Sequence, residues 1–295
     1  MYIEYYRIGG IMKRISLVVL VAFLVLPLSL LQAQSVDDYI EDIMNQAAGF
    51  QEDYIKGYVQ PFSTSLGTAL GGSLYHRGYT KGFPRFDVGI SAVYVPIPDG
   101  GKEFKSPIDD VDEPTLFGGN GRVDGIKQDF FSLPMLHANV GLFANLEVTA
   151  RFAALNVTDI GDLVIYGAGL KYGLSELLPL DDILPVDFSA QAAYHKFTLG
   201  DILDAGTLSM NLQASASIPV LPIDIYGGIG FDNSSLIVKT GSLNLPTDVG
   251  EVTIDGENQL RYNLGISLTI LLLNIHADYN IGEYNSIGAG VMLVL

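Results

Sequence analysis

The chain has 295 residues, with 33 acidic against 16 basic side chains, a formal net charge of −17, no Cys and no Trp. So acidic a chain argues against nucleic-acid binding, and without cysteine no disulfide framework can supply stability. The mean hydropathy is nonetheless +0.32, and because long apolar runs are few beyond the N-terminal region, the apolar side chains must be spread in alternation.

Met12, Lys13 and Arg14 precede the apolar run Ile15 to Leu31, and the small residue Ala33 stands before Gln34. This is the pattern of a secretory signal. The run is at the short limit for a membrane span, so a cleaved signal over 1–33, with Met12 as the start, is expected rather than an anchor. Its removal leaves 13 basic and 32 acidic residues, net −19. Ser35 can then cap a helix in which Val36, Tyr39, Ile40, Ile43, Met44 and Ala47 share one apolar stripe, with Asp37 and Asp38 in its first turn. A second amphipathic segment, Phe50 to Tyr58, should end before Pro61, and Leu66 to Tyr75 is rich in Gly and Ser. Residues 34–83 do not read as strands. They are expected to form a plug inside a barrel or to lie in the periplasm.

From residue 84 to 295 the pattern changes to period two. Leu208 to Ser217 alternates apolar and polar side chains without a break, and the same phase recurs in Phe86 to Tyr94, Leu136 to Leu142, Val148 to Ala154, Val164 to Tyr172, Val186 to Tyr194, Arg261 to Thr269 and Leu273 to Ile281. Neighbouring strand residues point to opposite faces, so each segment has one oily face and one polar face. The polar faces carry Ser, Asn, Gln and Gly with few charges, which suits the inside of a closed barrel whose outside touches lipid. The fold expected is all-β: an antiparallel transmembrane β-barrel of about ten strands, with eight or twelve left open by the ambiguous stretch 232–257. If the first strand rises from the periplasm, the long connections 98–130 and 232–257, with 158–162, 200–206 and 282–285, fall on the outer side. The short ones at 145–146, 175–184, 219–222 and 271–272 fall on the inner side, as in bacterial outer-membrane barrels. The last strand puts Ile287, Ala289, Val291, Leu293 and Leu295 outward; it is similar to the C-terminal signal read by the barrel-insertion machinery, with Leu in place of the usual final aromatic.

Phase alone lists the lumen: Asp87, Arg151, Lys171, Asp187, Gln191, Asn211, Gln213, Asp224, Arg261, Asn263, His276, Asp278 and Asn280. Asp87, Asp187 and Asp224 could form an acidic ring at the inner mouth, or could be ordinary lumen ion pairs. Ten glycines share the lumen phase, among them Gly141, Gly228 and Gly288; they either make room for a threaded plug or merely let the strands coil. Phe143, Met292 and Val294 are inward apolar residues near the inner rim, where the helix bearing Val36, Ile40 and Ile43 could dock. His276 and Asp278 share the lumen face, yet no nucleophile motif accompanies His76, His137, His195 or His276, so no catalytic site is expected. The run Asp109, Asp110, Asp112 and Glu113 could hold a divalent cation or be a solvated loop; it lacks calcium-loop spacing. No metal or cofactor is assigned.

Tyr58, Pro61 and Phe62, then Leu66-Gly67, Gly71-Gly72 and Tyr75, Phe86-Asp87-Val88 and Pro114-Thr115-Leu116-Phe117-Gly118 resemble an outer-membrane family known as a domain of unknown function. The plan of plug and barrel is also distantly similar to the long-chain fatty-acid transporter barrels, which have more strands. The resemblance implies an outer-membrane address and no catalytic residues. The function expected is passage of a small or hydrophobic solute across the outer membrane; the alternatives are a structural or partner-binding barrel with a filled lumen and, after it, an outer-membrane barrel enzyme. Expected partners are outer-membrane lipid and lipopolysaccharide, the insertion machinery and a small hydrophobic ligand.

Overall fold

The computed structural model describes residues 51–157, 161–177, 186–239 and 250–295. The expected signal over 1–33 and the helix bearing Val36, Ile40 and Ile43 lie outside these residues. The described chain begins with one long helix, α1 (Gln51–Gly71), followed by thirteen strands. They are β1 (Phe86–Pro96), β2 (Glu103–Lys105), β3 (Asp112–Pro114), β4 (Phe130–Gly141), β5 (Leu146–Val157), β6 (Gly161–Gly173) and β7 (Val186–Leu199). Then follow β8 (Leu203–Ser217), β9 (Ile223–Lys239), β10 (Glu251–Asp255), β11 (Leu260–Ile270), β12 (Leu273–Ile281) and β13 (Ser286–Val294).

Ten of them close into an antiparallel ring in the order β1, β4, β5, β6, β7, β8, β9, β11, β12, β13, with β13 returning to β1. The last seam pairs Asp87 with Val294 and Tyr94 with Ile287, so no strand edge is left along it. β10 folds back on the far part of β9 as a hairpin, Glu251 opposite Lys239, and β2 and β3 form a small ribbon within the connection 97–129. One end of the barrel has the turns 142–145, 218–222 and 271–272 and the start of β1 beside the end of β13. The other carries the connection 97–129 and the β9–β10 hairpin.

The outward positions are apolar and bare: Leu136 is 55% exposed, Leu212 56% and Ile266 51%. Apolar side chains repeated around a closed wall have no polar cover, and lipid is the solvent that makes such a wall stable. The inward positions are buried because the chain itself enters the lumen. Every residue from Ser63 to Gly78 is buried.

Four expectations need correction. α1 does not stop before Pro61 but runs through it. A proline removes the donor for the carbonyl four residues earlier, here that of Gly57, and crowds that turn; the enclosure of α1 by the barrel supplies the packing that holds the helix together, and the neighbouring Tyr58 carbonyl accepts from the backbone N–H of Leu116 at 2.9 Å. The turn expected over 200–206 is shorter, since β8 already begins at Leu203. The lumen is not polar throughout: toward the long-loop end Val93, Val95, Phe131, Leu133, Ile165, Phe197 and Leu236 point inward and pack with Leu66 and Leu70 of α1. Of the expected inner-rim docking residues, Met292 is fully buried, but Phe143 is 72% exposed, stacked on Phe83 at 4.6 Å between ring centres, and Val294 is half-buried. Phe143 sits in the tight turn after β4, past the point where alternation holds.

Candidate functional site

The candidate site is the filled lumen itself. α1 opens with Glu52 and Asp53 in its first turn, where the helix dipole favours negative charge, and Tyr54, Ile55 and Tyr58 bury against Val123, Ile202, Val238, Val252 and Ile254. Tyr54 meets the edge of Phe104, and Phe62 packs among Phe117, Phe131 and Phe197 with ring centres 5.7 to 6.4 Å apart. Three buried hydroxyls on α1 find carbonyls: Ser65 donates to that of Pro61 at 2.7 Å and Thr68 to that of Thr64 at 2.8 Å, while Ser63 reaches across to Ile254 at 3.0 Å. Gly67 and Gly71 lie where a Cβ would strike Ser234, Asn258 and the carboxylate of Asp232. These are close approaches of helix to wall rather than flexible points.

The connection 97–129 roofs this end. Thr115 donates its hydroxyl to Gly101 and its backbone N–H to Lys102, Leu116 bonds Tyr58 as above, and Phe117 enters the core. The Tyr58 hydroxyl donates to the carbonyl of Asp124 at 2.7 Å. The residues Tyr58, Pro61, Phe62, Leu66, Gly67, Gly71 and Thr115 to Phe117, which carried the family resemblance, therefore meet at the contact between plug, roof and wall.

Below α1 the chain continues extended through the polar half of the lumen. Arg151 of β5 closes the end of the helix: its guanidinium donates to the carbonyls of Leu70 at 3.3 Å, Gly72 at 2.9 Å and Ser73. The last carbonyls of a helix lack partners within it and carry the negative end of its dipole, so a buried cation there satisfies both needs. Lys171 of β6 does the same for the next turn of chain, donating to the carbonyls of Arg77 at 2.9 Å and Tyr79 at 2.8 Å. Arg77 in turn reaches Asp87 and Glu147 (2.9 Å to Glu147), and Lys81 also pairs with Asp87. Tyr75 donates to the Asn263 amide oxygen at 2.6 Å. Around the wall, Arg261 holds Asp232 at 3.1 Å, Asn280 at 3.1 Å and Asn211 at 3.0 Å.

Of the residues read from phase, Asp87, Arg151, Lys171, Gln191, Asn211, Gln213, Arg261, Asn263, His276, Asp278 and Asn280 are buried in the lumen. Asp187 and Asp224 are half-buried and are engaged by Ser175 and Ser217 respectively. The three aspartates form no ring about an open mouth, because Asp87 is consumed by Arg77 and Lys81. Lys171 stands opposite Gln191. His276 does not pair with Asp278: it lies 3.0 Å from the Asn274 amide and stacks on His76 at 4.6 Å, while Asp278 accepts from Asn280 at 2.7 Å and Tyr226 at 3.1 Å. Some lumen glycines face the plug, as where a Cβ at Gly141, Gly228 or Gly288 would meet Lys81, Tyr75 or Ser73; others only clear a neighbouring wall side chain, as Gly167 does for His195 and Gly265 for Tyr226.

Sequence reading missed Glu147, Asp232, Arg77 and Lys81. Glu147 shares the parity of Arg151, so extending β5 by one residue would have found it, and Asp232 shares the parity of Asp224. Arg77 and Lys81 carried no period, only charge inside a Gly-rich segment. The acidic run of the roof is divided among cations: Arg122 takes Asp109 at 2.6 Å and Glu113 at 3.1 Å, and Lys105 takes Asp112 at 3.0 Å.

No curated protein matches the chain. Among solved structures it is similar to a loop-deletion mutant of OmpT, an outer membrane protein of Vibrio cholerae, at 14% identity and a TM-score of 0.29, covering 56% of this chain and 54% of that one. The chain thus spans about half the length of that relative. It is also similar to Ail, the attachment invasion locus protein of Yersinia pestis, solved with the heparin analogue sucrose octasulfate (11% identity, TM-score 0.28, 74% of this chain and 96% of that one). Neisserial surface protein A matches at 14% identity and a TM-score of 0.27, over 70% of this chain and 96% of that one. A family model described as a family of unknown function (DUF6588) matches residues 12–295, nearly the whole sequence, and the chain belongs to that family.

Proposed function

We propose that the protein is a sealed outer-membrane barrel that keeps residues 51–83 as a resident plug and works through the surface it presents, rather than as an open pore or an enzyme. The observation that carries this reading is the clamp of Arg151 and Lys171 on five backbone carbonyls of the plug, at Leu70, Gly72, Ser73, Arg77 and Tyr79. Two wall cations spent on plug backbone favour occupancy of the lumen over conduction, and barrels near this size have little room for a free channel in any case. Short turns at one end and long connections at the other favour a long-loop end facing outside. The signal-like N-terminus agrees with export.

A second reading is passage of a small or hydrophobic solute after the plug shifts. It is favoured by the polar inner lumen, where water could replace the contacts of residues 72–81 more readily than it could enter the apolar half. Planar-bilayer recording separates the two. The intact protein should be silent, and deletion of residues 34–80 should open a steady conductance; an intact protein that already conducts would refute the sealed reading, and a silent deletion would refute the plug. Liposome swelling with sugars and with amphiphiles gives the same answer for solutes.

A further inference from the structure

The ten strands of the ring carry five Lys and Arg side chains. Arg151, Lys171 and Arg261 are buried in the lumen. Lys196 on β7 and Lys239 on β9 are the two that face outward, and they flank the same residue, Asp204 on β8. The Lys196 ammonium pairs directly with one Asp204 oxygen, and that of Lys239 lies 3.8 Å from the other. Although Glu251 stands opposite Lys239 in the register of β9 and β10, the ammonium lies with Asp204. Asp162, the outward carboxylate on β6, is occupied by Asn156 at 2.7 Å.

Around this pair the outer wall is hollowed. A groove of about 310 Å³ is lined by Tyr194, Lys196, Asp204, Gly206, Leu208, Asn233, Ser235 and Ile237. Gly206 makes the hollow, since a Cβ there would meet the Tyr194 hydroxyl at 2.6 Å. Toward the barrel's middle the same outward face continues into Met210, Leu212 and Phe231, each about half exposed. Tyr166 and Tyr194 stand at the boundary, Tyr166 directly across from Lys196. A charge on the lipid face is costly at the middle of the bilayer and tolerated only near the interface; aromatic rings mark that level. The two outward cations therefore sit at headgroup depth, at the long-loop end, in a hollow that opens sideways into lipid.

We propose that this groove binds the phosphate headgroup of a lipid in the surrounding outer leaflet, with its acyl chains running down the Leu208, Met210 and Phe231 face. Two ammoniums sharing one carboxylate retain charge for an anion, and lysine binds phosphate as a compact point charge; the Ser235 hydroxyl and Asn233 amide add neutral donors. A water-borne ligand would have to enter from the lipid side, so the occupant is a membrane component. The inference rests on the outer-membrane orientation given above.

The test is native mass spectrometry of the full-length protein in detergent with three separate probes: a diphosphorylated disaccharide lipid, its dephosphorylated counterpart with the same acyl chains, and inorganic phosphate. The wild type should hold the phosphorylated lipid about tenfold more tightly than the dephosphorylated one, and K196Q/K239Q should bring that ratio near one. G206V, which fills the hollow without changing charge, should weaken both lipids, while K127Q on the roof changes nothing. Retention of heat-modifiable migration on gels certifies that each variant is folded. The proposal is overturned if the double variant keeps the preference, if inorganic phosphate competes at equal concentration, or if the wall substitutions abolish a dimer and leave lipid binding intact. Whole-cell labelling of K127C reports on orientation by itself, so failure of the outer-membrane reading is told apart from failure of this site.

Discussion

The lumen has two halves built on opposite physics. Toward the long-loop end α1 is packed as a helix is packed in a globular core, with Leu66, Leu70 and Phe62 against Val93, Phe131 and Phe197. Toward the short-turn end the same continuous segment is held by charge and hydrogen bonds, through Arg77, Lys81, Asp87, Glu147 and Lys171. A dry contact excludes water whatever the ionic conditions. A buried ionic contact is secure only while every partner is present, because removal of one leaves its neighbour charged and unpaired. The plug is therefore anchored by its apolar end and switchable, if at all, at its polar end.

Asp87→Asn is expected to have the largest effect. It removes the carboxylate shared by Arg77 and Lys81, and breaking a buried pair from one side costs about 3–5 kcal/mol. Urea unfolding in detergent should show the loss, and hydrogen exchange should quicken in residues 72–83 while α1 stays protected. If Asp87→Asn is as stable as wild type, the ionic half does not hold the plug. Leu66→Ala should cost about 3 kcal/mol by leaving a cavity in the dry half, with exchange quickened in α1 and unchanged in residues 72–83; the opposite pattern in the two variants would reverse the assignment of the two halves.

Gly71→Ala gives a smaller effect whose sign discriminates. In a free helix the change would stabilise by about 1 kcal/mol. Here the new methyl meets the Asp232 carboxylate, with Cγ 2.7 Å away, and overpacking of that kind costs about 1–3 kcal/mol. Net destabilisation in the same unfolding assay supports the close helix-to-wall approach, and net stabilisation removes it.

Much of the barrel was legible because a closed wall in lipid forces parity on every strand. Arg261 to Thr269 and Leu273 to Ile281 show it plainly, and the β9–β10 hairpin could be suspected from the length of 232–257. Parity failed where both faces are dry. In Ala92 to Val95 and in Leu236 to Val238 the inward residues are as apolar as the outward ones, because α1 and not water fills that level, and nothing local to a strand reports what lies across the lumen. Pro61 misled for a related reason: its cost is set by the helix, but the packing that holds the helix through it comes from Phe117, Phe131 and Phe197 around Phe62, far away in sequence. The clamp by Arg151 was visible only as a lumen cation. That it serves backbone carbonyls depends on where α1 ends, and Gly71-Gly72 hinted at that end without fixing it.

The roof offers the weakest test of the contrast between charge and packing. Asp109 is partly desolvated, which would raise its pKa, but the hydrogen bond and charge of Arg122 outweigh this and hold it below the ordinary carboxylate value. A depressed folded pKa means that the pair adds stability above the unfolded value of about 3.9 and loses it as pH falls through the lower folded value. Because both side chains are partly in water, the pair contributes little to stability. Limited proteolysis within 97–129 should therefore quicken only slightly below pH of about 4, and Asp109→Asn should show the faster cleavage at neutral pH with no further change on acidification. A large acid effect that survives Asp109→Asn would place the sensitivity elsewhere, in the ionic inner half, and would mean that plug and roof loosen together.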